Sequence, residues 1–168
     1  MPTPEAAQLS EVIRLNMEEV KKLCAGLDEK TASSAPAGRW SPKQIVSHLC
    51  GPEGAGHLPL VRTFLEKDTP RVDINPGDPF FSEKRSRMTM PELLTEFEQE
   101  YKRLSDFAAG LSAEQLNRKA HIPALKESPL GEYLTLATWI NVLGERHVTS
   151  HIDHLREILK ELGVVAPA

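Results

Sequence analysis

Three of the six histidines fall in one short stretch, at His147, His151 and His154. On a helix each residue turns about 100°, so His147 and His151 stand about 40° and about 6 Å apart, close enough for two imidazoles to converge on one cation. His154 lies about 60° further round from His151. When residues 134–162 are projected as a helix, Ile140, Leu143, Gly144, Val148, Ile152, Leu155, Ile158, Leu159 and Leu162 share one broad arc with His147 and His151. Glu145, Arg146, Thr149, Asp153, Arg156, Lys160 and Glu161 occupy the opposite arc. The pair therefore points into a core, with His154 at its edge. A buried imidazole needs a partner. Either neighbouring side chains satisfy the pair or a metal ion does.

The histidine stretch needs other elements to position it, and the chain supplies helical ones. Thr3-Pro4 opens a first helix, whose stripe runs through Leu9, Val12, Ile13, Met17, Val20, Leu23 and Leu27. Residues 31–39 read as a loop. Ser41-Pro42-Lys43-Gln44 carries an N-cap, a first-turn proline and the far half of a capping box. Trp40 precedes it and sets the helix's approach, and Ile45, Val46, His48 and Leu49 follow. Beyond them Gly51-Pro52 predicts a kink or a break before Val61, Phe64 and Leu65. Residues 69–86, with Pro70, Pro76 and Pro79, form a long irregular connection of a length that is often functional. Thr89 and Glu92 cap a third helix with a seam of Leu94, Phe97, Tyr101, Leu104, Ala108 and Leu111. Ser128-Pro129 launches the histidine helix, which ends before Gly163. No segment alternates long enough to predict a strand. The expectation is an all-α four-helix bundle, one domain over 1–168, with long connections after helices 2 and 3.

Composition sets the boundaries. With 40% hydrophobic and 26% charged residues the chain is an ordinary globular protein. Its net charge of −4 and lack of basic clusters exclude nucleic acid and anionic membranes as expected partners. No apolar run approaches membrane-spanning length, and the N-terminus lacks the pattern of a secretory leader, so a cytoplasmic location is expected. Cys24 and Cys50 form no CxxC and are expected to fill core space.

In a bundle, side chains from different helices assemble sites in the interior. His48, on a well-capped helix beside an apolar stripe, is the candidate to join His147 and His151. Three imidazoles would leave a fourth position open, as in catalytic zinc sites, and nickel, iron or manganese also accept histidine. Here the sequence resembles the DinB-like family, also called DinB/YfiT-like metal-dependent hydrolases. The resemblance runs through Trp40-Ser41-Pro42-Lys43-Gln44-Ile45-Val46-Ser47-His48-Leu49, then Leu116-Asn117-Arg118-Lys119-Ala120-His121-Ile122-Pro123. It ends in the His147-x-x-x-His151 pair followed by Leu155-Arg156-Glu157-Ile158. It implies a four-helix bundle, often a homodimer, with a divalent metal held by His48, His147 and His151. The family often has Gln three residues after the second histidine of the pair, where this chain has His154.

The chemistry expected is metal-assisted activation of water or of a small thiol, hence a hydrolase or a thiol transferase acting on a small-molecule substrate. Glu53, in the turn after His48, and His154 are the candidate proton carriers. The alternative is a non-catalytic, metal-stabilised helical module working through dimerisation or a partner; a closed coordination shell would mark it. His57 is expected in a loop or on the surface, and His121 in a loop, solvated or capping a helix end. Gly144 is expected either to open space for substrate or to allow close helix packing, and Phe97, Tyr101 and Trp139 to fill the core.

Overall fold

Caps fix where the principal helices start. In the computed structural model, which describes residues 1–165, the Thr3 side chain accepts from the Ala6 amide and α1 runs Pro4–Cys24. A single turn, α2 (Glu29–Ala32), interrupts the stretch read as a loop. Ser41 and Gln44 make both hydrogen bonds of a capping box to open α3 (Pro42–Cys50). The chain then breaks rather than kinks. Gly51 adopts φ 74°, and the helix restarts as α4 (Leu58–Glu66). The long connection holds a further turn, α5 (Glu83–Arg87), capped by Ser82. Thr89 and Glu92 form the expected capping box of α6 (Met90–Ala109), although its seam starts with buried Met90 and Leu93 rather than with half-buried Leu94.

The histidine helix starts later than Ser128-Pro129. After α7 (Ala113–Leu116), β1 (Lys119–His121) pairs antiparallel with β2 (Tyr133–Thr135), and Arg71 bridges to His121 alongside. Three-residue strands are too short to show alternation, which is why none was expected. Ser128 caps no helix; its hydroxyl accepts from Leu130 N, closing a turn within the hairpin connection. Thr135 is the true cap. Its hydroxyl accepts from Thr138 N and begins α8 (Leu136–Asn141), which continues through a π-helical turn at Val142–Arg146 into α9 (His147–Glu161).

The helices close a ring: α1 packs on α6 and α9, and α3 packs on the other sides of α6 and α9. Phe97, Tyr101 and Trp139 lie in the shared core, as do the thiols of Cys24 and Cys50, which burial pushes up to about 12 and so keeps protonated. The result is the four-helix bundle expected, with a small hairpin added. Among the described residues no helix is long and apolar enough to cross a membrane.

Gly144 settles on close packing. It sits in the π-helical turn against α1, where an added methyl would collide with Ile13 Cγ1. Its carbonyl accepts from Asn16 Nδ2 at 2.9 Å. Ile13 is fully buried and Cγ1 branches directly from its Cβ, so relief requires α1 itself to shift. Gly144→Ala is expected to lower stability by about 1–3 kcal/mol in urea unfolding.

Candidate metal centre

The well-capped α3 carries His48 in its last turn, and α9 carries His147 and His151 one turn apart, facing it. Their ring centroids form a nearly equilateral triangle, with separations of 4.8 Å for His48–His147 and 4.7 Å for the other two pairs. One nitrogen from each ring lies within 4.8 Å of the others, close enough for all three to hold a metal ion. His48 Nε2 and His147 Nε2 face each other at 2.8 Å. Two such lone-pair edges need something positive between them, either a proton on one ring or a cation shared by both.

The surroundings favour neutral rings. Burial, then the neighbouring imidazoles, push His147 down to about 3 and His151 down to about 4; burial also lowers His48. At neutral pH all three are unprotonated donors. His48 has its tautomer set from outside: Nδ1 donates to the Asp78 carbonyl at 2.6 Å, leaving the Nε2 lone pair for the cluster. Among the described residues His147 Nδ1 is buried without a partner.

The long connection supplies this outer layer. Asp78 Oδ1 accepts from Phe80 N at 2.7 Å, and Phe80, held at φ 50°, stacks its ring on His48 with centroids 6.0 Å apart. Arg85, 1% exposed, ties the segment down. Its guanidinium donates to the carbonyls of Ser47, Gly51 and Phe80 and pairs with Glu96 at 2.7 Å. Trp40 covers the opposite side, its ring parallel to His151 at 6.3 Å and tilted against His48 at 5.2 Å.

Beside the cluster lies a cleft of about 480 Å³ whose lining includes His48, His147, Leu60, Ile74, Phe80, Trp139 and Leu143. The break between α3 and α4 forms one wall, through Pro52, Ala55, Gly56 and His57. Gly56 is at φ 65°, and a side chain there would strike the Glu100 carboxylate.

The structure places the remaining candidates as follows. Glu53 is in the exposed turn, 4.0 Å from Lys84, and does not line the cleft; Asp73 is the carboxylate that does. His154 is partly exposed, with Nδ1 3.5 Å from His151 Nδ1 and its ring against Trp40. His57 lies in the loop between α3 and α4, as expected, but not at a free surface. It immediately precedes α4, its ring turns inward to donate to the Leu49 carbonyl at 2.9 Å, and burial pushes it down to about 4. His121 caps no helix; it belongs to β1 and stacks on Tyr133, with Nε2 3.7 Å from Glu132. Sequence reasoning missed Asp78, Phe80, Arg85 and the second role of Trp40. The one available signal was the length of the connection.

A helical bundle with three neutral imidazoles gathered in its interior, two of them lining a cleft, defines a protein able to carry a histidine-bound metal. The DinB superfamily profile matches residues 13–155, and the chain belongs to that family. The fold is similar to that of YfiT from Bacillus subtilis, described as a probable metal-dependent hydrolase with an unusual four-helix bundle topology. That match has a TM-score of 0.74 at 19% identity, covering 98% of this chain and 92% of the other. No curated protein matches the sequence.

Two outcomes follow from this packing. Unfolded, each imidazole returns to its usual value near 6.5, whereas folded His147, His151 and His57 stay near 3, 4 and 4. Between those values the unfolded chain binds more protons, so the rings' contribution is complete above about pH 6.5 and is lost as the pH falls toward the folded values. For chelator-treated protein, the urea midpoint is expected to decline steadily from about pH 6.5 to about pH 4. Arg85→Met, which removes Glu96's buried partner and a donor to the Ser47 and Gly51 carbonyls, is expected to cost about 3 kcal/mol or more in the same assay.

Proposed function

We propose that the protein is a metal-dependent enzyme acting on a small molecule, a hydrolase or a small-thiol transferase, with a divalent ion held by His48, His147 and His151. The observation that carries this reading is the convergence of three donor nitrogens within 4.8 Å, with two of the rings lining the cleft. Membership of the DinB superfamily and the likeness to a probable metal-dependent hydrolase support it.

The donor set fits such an ion. Three imidazoles kept neutral by burial suit zinc, nickel, iron or manganese, and His48 has the outer hydrogen bond that orients a ligating ring. When bound, the ion supplies Lewis-acid activation of water or of a thiol. The chain's own residues do the rest. Phe80, Trp139 and Leu143 exclude solvent beside the rings, which strengthens electrostatic interactions there. Trp40 holds His151 in place by stacking. Of the two proton carriers considered, His154 stands beside His151 and reaches solvent, whereas Glu53 lies outside the cleft. A cleft that reaches two of the three rings favours an enzyme over a non-catalytic module with a closed shell.

Elemental analysis of protein purified without added metal tests the reading. About one equivalent is expected in the wild type, and a loss of most of it in His48→Ala, His147→Ala and His151→Ala. Metal content unchanged in any of these variants would remove that residue from the site. Esterase and thiol-transfer assays on the loaded protein then separate the two reactions.

A further inference from the structure

We infer that the substrate has one metal-seeking group at the end of an uncharged, largely apolar body, and that small thiols or esters carrying distal carboxylates or phosphates are rejected. This rests on the metal-dependent reading for the reacting end and on the cleft alone for the body.

The cleft's composition is the argument. Its walls are Pro59, Leu60, Ile74, Phe80, Leu125 and Leu143, with Trp139 deep in the core. Among the described residues no lysine or arginine lines it, and its one formal charge, Asp73, lies at the exposed rim, paired with Arg71 at 3.3 Å. The nearest buried cation, Arg85, is committed to Ser47, Gly51, Phe80 and Glu96. An anionic group deep in the cleft, away from the histidines, would therefore lose its hydration without gaining a cation. Neutral polar groups fare better, because Asn75 offers both a donor and an acceptor. The contrast lies on the same molecule: a second cavity of about 580 Å³ is lined by Glu5, Asn117, Glu145 and Arg146, among others, and is polar. A volume of about 480 Å³ falls within the range of small-molecule sites.

Two arms test this. In chelator-treated protein, tryptophan fluorescence is titrated with 4-phenylbutanol and with 4-phenylbutyrate, which differ in charge at one end. The alcohol is expected to bind at least about tenfold tighter. Equal affinities, no binding of either, or tighter binding of the carboxylate overturns the inference. In cobalt-loaded protein, the thiolate-to-cobalt absorbance band is titrated with 2-phenylethanethiol and with mercaptosuccinate, and the same order is expected. Failure of cobalt to bind would sink the metal reading while the first arm still decides the cleft's preference. Cobalt that binds but takes mercaptosuccinate as tightly as 2-phenylethanethiol would overturn this inference and leave the metal reading standing.

Discussion

Three imidazoles share one buried patch, and the cost of keeping them there shapes the rest of the molecule. Each must remain neutral, because burial and the neighbouring rings penalise a proton on any of them. Neutral rings in an apolar interior still carry polar edges that need partners. His48 finds one in the Asp78 carbonyl, and that contact requires residues 78–80 to fold back across the end of α3. Holding the segment there falls to Arg85, whose buried charge is tolerated because three carbonyls and a carboxylate receive it. The chain from imidazole to carbonyl to guanidinium is thus one unit, assembled from parts separated by dozens of residues.

The cleft arises where the second bundle helix is interrupted. A continuous α-helix from Pro42 to Glu66 would have carried its side chains straight past the cluster. The break instead lines the space with Pro52, Ala55, Gly56 and His57 and turns His57's ring onto the carbonyl of buried Leu49. Gly56 is needed twice over, for a left-handed backbone and for the close approach of Glu100. The same interruption that spoils helical periodicity in the sequence makes room for a ligand.

Much of this was legible in the chain, for local reasons. The capping boxes at Ser41–Gln44 and Thr89–Glu92 use only residues three apart, so the starts of α3 and α6 could be read directly. The His147–His151 pair shares one helix, and its inward direction followed from the apolar arc. His48 required a resemblance as well as a pattern, because nothing local ties residue 48 to residue 147. Asp78, Phe80 and Arg85 act through backbone carbonyls or through a buried side chain in an irregular segment, and neither leaves a periodic mark. The late start of the last helix was hidden because the hairpin strands are only three residues long, while Ser128-Pro129 imitates a cap.

The π-helical turn at Val142–Arg146 fits an extra residue into the last long helix just ahead of His147. Regular α-helical winding of the same residues, without the wider turn, would rotate everything upstream by about 100° relative to the histidines. Trp139 and Leu143 would swing off the cleft wall, Gly144 would lose its seat against Ile13, and the bundle would keep its helices while losing the alignment between its binding surface and its imidazoles. The winding of this segment is therefore as constrained as side-chain identity: the helix works as an indexed gear, with one wide tooth that sets its phase.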